Sequence, residues 1–203
     1  MTKIKLCGLS RPCDIEMVNA LNPEYIGFVF TPKSKRYVSP EKASELKKLL
    51  SPSIKAAGVF VNAPQNEILE LVHSGIIDII QLHGTEDAAY IRQLRELTDA
   101  PIIQAFRMKT EADIFLAKQS SADYILLDSG AGTGMTFNWQ LIQDVKRPYF
   151  LAGGLNPDNV RNAIQKLTPF AVDVSSGIET EGFKDKEKMT AFVTTVRKGE
   201  NLL

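Results

Sequence analysis

Eight short apolar runs recur along the chain at intervals of 22 to 30 residues, and this beat constrains the fold more than any other feature. They begin near Lys3, Tyr25, Lys55, Ile77, Pro101, Asp123, Pro148 and Phe170. The runs at 25–30, 56–61, 76–82 and 124–127 are apolar almost throughout rather than alternating. Strands of that kind are buried on both faces, as in a parallel sheet covered by helices.

Helical spacing fills the intervals. Val160, Ala163, Ile164 and Leu167 stand at i, i+3, i+4 and i+7, and Met189, Phe192, Val193 and Val196 repeat the pattern. Ile68, Leu71 and Val72 form a shorter stripe, as do Met17, Val18 and Leu21. Ser39-Pro40-Glu41 and Asn156-Pro157-Asp158 each set a capping side chain before a proline expected at the first helical position. With no low-complexity linker in 203 residues, residues 1–203 are expected to form one α/β domain, a (β/α)8 barrel near the lower size limit of that fold. A doubly wound open sheet is the alternative, because pattern alone does not show closure.

Charge narrows the partners. Lys and Arg number 24, as do Asp and Glu, which argues against a nucleic-acid binder or a polybasic membrane anchor relying on overall basicity. No apolar run approaches the roughly 18 residues of a membrane span, and the first residues lack a signal-peptide apolar region. The two cysteines, Cys7 and Cys13, are too few for a disulfide scaffold. A cytoplasmic enzyme is the expectation.

In a barrel, chemistry belongs at the C-terminal ends of the strands. Gly153-Gly154-Leu155-Asn156 follows the seventh run and Ser175-Ser176-Gly177 the eighth. Glycines let backbone N–H groups approach an anion and serines add donors, so the pair is expected to hold a phosphate; the plain alternative is two ordinary turns. Cys7 closes the first run, on the same strand face as Lys5. It is either an inert buried thiol or a thiolate activated by a nearby cation or helix N-terminus. Asp128 ends the sixth run, as a loop cap or as a tuned acid or base.

The stretch from Ser129 to Thr136 carries three glycines and is expected to be a mobile loop able to close over a ligand, or a plain connector. Arg36, in the basic cluster with Lys33 and Lys35, can grip a planar carboxylate with two bonds. His83 is expected to line the pocket or to sit in a loop hydrogen bond. No metal site is expected, since Cys7, Cys13, His73 and His83 lack ligand spacing.

Taken in order, Lys5-Leu6-Cys7-Gly8, Gly27-Phe28-Val29-Phe30 with Ser34-Lys35-Arg36, Gly58-Val59-Phe60-Val61-Asn62, Gln81-Leu82-His83-Gly84, Leu127-Asp128, Gly132-Thr133-Gly134 with Phe137-Asn138-Trp139, Gly153-Gly154-Leu155-Asn156-Pro157 and Asp173-Val174-Ser175-Ser176-Gly177 resemble phosphoribosylanthranilate isomerase. Each segment is weak alone; eight in register across the whole chain are specific. The chain departs from the family pattern at Met135, where Lys or Gln is common, at Asn138, where aspartate is common, and at Leu6 of the first segment.

The resemblance implies a (β/α)8 isomerase of tryptophan biosynthesis. Such an enzyme performs an Amadori rearrangement of N-(5′-phosphoribosyl)anthranilate without metal or organic cofactor. It implies Cys7 as general base, Asp128 as general acid and Arg36 as the anthranilate-carboxylate partner. The phosphate falls to Gly153, Gly154, Ser175, Ser176 and Gly177, and Asp173 helps position the anthranilate nitrogen. The expected partner is this small phosphosugar substrate, with a monomer expected ahead of a homodimer.

Two other readings compete. Another phosphosugar barrel, an aminoaldose isomerase or a pentose-phosphate epimerase, would need a second phosphate motif pair or metal-binding histidines at strand ends. A catalytically silent ligand-binding barrel would lack the acid or the base, and Cys7 and Asp128 are both present.

Overall fold

The structure, a computed structural model, describes residues 1–128, 142 and 145–199. Its eight long strands are β1 Lys3–Cys7, β2 Tyr25–Val29, β3 Lys55–Phe60, β4 Ile79–Leu82, β5 Ile102–Arg107, β6 Tyr124–Asp128, β7 Tyr149–Ala152 and β8 Ala171–Val174. Each pairs in parallel with the next, and β8 pairs back onto β1 to close the barrel. Closure excludes the open doubly wound sheet. The largest offset from the expected beat is at β4, which begins at Ile79 rather than Ile77. The N–H groups of Ile76 and Ile77 both donate to the Leu71 carbonyl, so this apolar pair finishes the preceding helix turn instead of starting the strand.

Among the described residues seven helices cover the barrel: α1 Pro12–Leu21, α2 Pro40–Leu49, α3 Gln65–His73, α4 Ala88–Leu97, α5 Glu111–Gln119, α6 Val160–Leu167 and α7 Lys186–Gly199. The α6 stripe of Val160, Ala163, Ile164 and Leu167 is buried, as are Met189, Phe192, Val193 and Val196 of α7. On α1 the buried apolar residues are Ile15 and Val18, with Met17 and Leu21 at the edge. Ser39 caps α2 by accepting from the Lys42 N–H at 3.2 Å. Asn156 accepts from the N–H groups of Asp158 and Asn159, but those bonds hold Pro157 in a turn and α6 starts only at Val160.

Strand alternation sorts side chains between two apolar layers. Ile4 and Leu6 of β1 and Ile26 and Phe28 of β2 pack outward against the helices. The inward set, with Tyr25, Ala57, Ile79, Ile103, Leu126 and Phe150, fills the barrel. Above it lie Cys7, Val29 and Val59, at the floor of the C-terminal mouth. The glycine-containing loop at 129–136, with Met135, and also Asn138, lie outside the described residues.

Candidate active site

A cavity of about 410 Å³ opens at the C-terminal ends of the strands, a volume suited to a small ligand. Its wall includes Cys7 from β1, Arg36 from the loop after β2, Gln81 and His83 at the end of β4, and Asp128 closing β6. Gly153 and Gly154 follow β7, while Asp173, Ser175 and Ser176 come from the end of β8. Nine of the ten site residues expected from the sequence thus share one cavity.

The tenth, Gly177, is not on the cavity wall. A Cβ there would lie 1.9 Å from the Leu155 carbonyl oxygen, so its bare backbone lets the loops after β7 and β8 press together. Gly153 and Gly154 have φ of 88° and 64°, the left-handed region that glycine enters without a Cβ penalty. The Ser175 hydroxyl is already engaged: it donates to the Cys7 carbonyl at 3.1 Å, and the Lys184 ammonium reaches it at 3.3 Å. Ser175 therefore ties the β8 loop to β1, and Ser176 is the more exposed of the two serines.

Charge on one side of the mouth comes in buried pairs. Lys5, fully buried, donates to Asp173 Oδ1 at 2.9 Å. Burial alone would lower its pKa, but Asp173 and Cys7 outweigh that and raise it. Beyond a one-turn 3-10 helix at Ser176–Ile178 comes a small hairpin of β9 Glu179–Thr180 and β10 Phe183–Lys184. Its tight turn places Glu181 and Gly182 at positive φ.

The hairpin brings Glu179 and Lys184 into register, and the Lys184 ammonium meets Glu179 Oε1 at 2.6 Å. Glu179 also takes two bonds from Arg36, Nε to Oε1 at 2.6 Å and Nη2 to Oε2 at 2.7 Å. Burial pushes the Glu179 carboxyl up, and the bonds from Arg36 and Lys184 more than reverse this, holding it below the ordinary carboxylate range. The fork of Arg36 is thus fixed on its Nε–Nη2 edge by a protein carboxylate, while the residue lines the cavity.

The other side is built differently. His83 lies between Gln81 and Asp128, its Nδ1 3.1 Å from the Gln81 amide nitrogen and its Nε2 3.5 Å from Asp128 Oδ2. In this orientation the Gln81 amide nitrogen, which can only donate, makes Nδ1 the acceptor of that contact. Below this side, Glu86 accepts from the N–H groups of Asn62 and Gly84 at 2.7 and 2.8 Å. A Cβ on Gly84 would strike Asn62 Oδ1 at 2.4 Å, so these two motif residues serve loop packing rather than the ligand.

Sequence reasoning passed over Gln81, Glu179 and Lys184 as site residues. Gln81 carried a usable signal, an amide on the inward face of an apolar strand. Glu179 and Lys184 carried none, because their meeting with Arg36 spans distant loops. Among the described residues no group of His, Cys, Asp and Glu could hold a metal ion.

Comparison with known proteins shows the family. The family model described as N-(5'phosphoribosyl)anthranilate (PRA) isomerase matches residues 4–195. The N-(5'-phosphoribosyl)anthranilate isomerase of Thermoanaerobacter sp. strain X514 is 43% identical over 204 residues, covering 97% of this chain and 98% of its own. The crystal structure of phosphoribosyl anthranilate isomerase from Thermotoga maritima superposes with a TM-score of 0.89 at 37% identity, covering 98% of this chain and 100% of that one. A phosphoribosyl anthranilate isomerase solved in complex with reduced 1-(o-carboxyphenylamino)-1-deoxyribulose 5-phosphate gives 0.86 at 37% identity, with the same coverage. With the match running from the first strand into the last helix, the chain belongs to the N-(5'-phosphoribosyl)anthranilate isomerase family.

Proposed function

We propose that Cys7 is the general base and Asp128 the general acid of the family's reaction in this chain. That reaction, a step of L-tryptophan biosynthesis, rearranges N-(5′-phosphoribosyl)anthranilate to 1-(2-carboxyphenylamino)-1-deoxyribulose 5-phosphate. Asp128 delivers a proton to the ribose ring oxygen as the anomeric C–N bond becomes an iminium. The Cys7 thiolate then takes the C2′ proton, giving an enolamine that tautomerises to the ketone. The supporting observation is that one cavity carries Cys7 and Asp128 on well-separated strands, with anion partners at its rim.

Gly153, Gly154 and Ser176 supply phosphate donors, with Gly177 giving the loops room to approach. Arg36 offers its Nη1 edge to the anthranilate carboxylate while Glu179 fixes the other edge. Asp173 lies where it can orient the anthranilate nitrogen, and His83 bears on the substrate beside Asp128. Two grips hold the reacting carbon between acid and base, and such positioning supplies much of a rate enhancement. We infer that the enzyme works as a one-domain monomer in the cytoplasm, since every group named comes from a single chain; light scattering giving a dimer mass would refute the monomer.

The test is loss of phosphoribosylanthranilate fluorescence with purified protein. Cys7→Ala and Asp128→Asn are each expected to lower kcat by about 10²- to 10⁴-fold. Full activity in both would overturn the acid and base roles, and an inactive wild type would overturn the function itself.

A further inference from the structure

A buried thiol is a weak base until it loses its proton, and an apolar site opposes that loss. Cys7 is only 7% exposed, so its thiolate needs a neighbouring positive charge. The best-placed cation is Lys5, two residues earlier on the same inward face of β1 and fully buried. Two observations fix where its ammonium points. It donates to Asp173 across the β1–β8 junction at 2.9 Å, where the strand register pairs Lys5 with Asp173. At Gly27, which faces Cys7 on β2, a Cβ would lie 2.6 Å from Cys7 Sγ and 3.2 Å from Lys5 Nζ. Sulfur and ammonium therefore meet over a bare glycine, at most about 6 Å apart, within the range where opposite charges favour each other's ionised form.

We propose that Lys5 is a positioning residue for the Cys7 base: its ammonium, anchored by Asp173, is the counter-charge that holds the thiolate inside the barrel. The proposal rests on Cys7 being the base. Lys5 keeps its proton throughout; the only proton it governs is the one on sulfur, lost to solvent before turnover and regained from C2′ during it.

Four charged groups act on Cys7. Burial, the largest influence, pushes the thiol up, and Asp173 adds to it. Lys5 is the strongest opposing influence, and Lys184 on the hairpin also pulls it down. The thiol stays above its ordinary value, so without Lys5 it would stand higher still. Arg36, above the mouth, is also within electrostatic reach of the sulfur. Lys5 and Asp173 therefore pull Cys7 in opposite directions, although they are bonded to each other.

The experiment follows Cys7 alkylation by iodoacetamide against pH, read by peptide mass spectrometry in a Cys13→Ser background so that one thiol reports. Lys5→Met is expected to raise the alkylation midpoint by about one unit or more, slowing reaction near neutrality about tenfold. Asp173→Asn is expected to lower it. In turnover, Lys5→Met should reduce kcat about 10- to 100-fold with KM within about twofold, and shift the limb of the rate profile that Cys7 governs as the alkylation shifts. Midpoints that stay put, or move in the same direction in both variants, overturn the proposal. If Lys5→Met does not fold, Lys5→Gln, which keeps a polar partner for Asp173, is read in its place: a raised midpoint upholds the counter-charge, and an unchanged or lowered one overturns it. Alkylation does not depend on catalysis, so a fully active Cys7→Ala would remove the base assignment while leaving the Lys5 result intact.

Discussion

The two walls of the cavity handle charge in contrasting ways. On the side of β1, β8 and the hairpin, charges are tightly paired and, except for Arg36 at the rim with 31% of its side chain exposed, buried: Lys5 with Asp173 at 2.9 Å, and Lys184 and Arg36 both with Glu179 at 2.6 Å. On the side of β4 and β6, His83 and Asp128 stand 3.5 Å apart with 23% and 18% of their side chains exposed. Under the roles proposed for Cys7 and Asp128, the contrast follows two tasks. A thiolate base must be held charged away from water, which demands fixed counter-charges, because leaving one partner of a buried pair unpaired is costly. A carboxylic acid must recover its proton after each turnover, which is served by contact with solvent and a nearby imidazole.

The comparison breaks most visibly at Gly27. Alanine there would set a methyl 2.6 Å from Cys7 Sγ and 3.2 Å from Cys7 Cα, beneath the charged wall and remote from the other. Gly27→Ala is expected to lower kcat about 100-fold or more, while overpacking costs about 1–3 kcal/mol of stability. Turnover and a denaturant melt read the two effects, and near-normal kcat would mean that the wall is not tight.

Arg36→Met probes the rim of the same wall. It removes a bidentate partner, and KM is expected to rise about 10- to 100-fold with a smaller change in kcat. An unchanged KM would refute the carboxylate role. The loss also leaves Glu179 with Lys184 alone, so a modest fall in melting temperature should accompany it.

The smallest effect is one of pH. The folded-state pKa of Glu179 is depressed, so its contribution to stability is present above the unfolded carboxylate value near 4.3 and is lost as pH falls through the folded value. Glu179→Gln should therefore be less stable than wild type at pH 7, by about 1–2 kcal/mol. The gap between the two should narrow as the pH drops below about 4. A constant difference from pH 3 to pH 7, measured by thermal melts, would show that the carboxylate does not titrate as its partners demand.

Much of this was legible from residue order. Strand beat and helical stripes are local signals, and they placed the barrel strands to within two residues at their starts. Inward alternation placed Lys5 and Cys7 on one face, but it could not say that Asp173 would stand against them. That pairing depends on the register of strands at opposite ends of the chain. The same limit hid Glu179, whose partner Arg36 lies 143 positions away. Ser175 was correctly placed on the cavity, yet its hydroxyl turns out to bind β1 backbone, a consequence of closure that no loop motif records. Gly177 was expected beside the phosphate because it follows two serines; its need for a bare α-carbon arises from the Leu155 carbonyl of another loop.

The junction of β8 with β1 has a further consequence for how the molecule is born. Lys5 and its carboxylate are 168 positions apart, as are the Ser175 hydroxyl and the Cys7 carbonyl that it binds. During synthesis at roughly 5–20 residues per second, β1 would wait on the order of 8 to 34 seconds before Asp173 is even made. Through that interval the first strand carries a lysine that no finished core can accept. The thiol proposed as the base thus gains its electrostatic setting only when the last strand closes the ring.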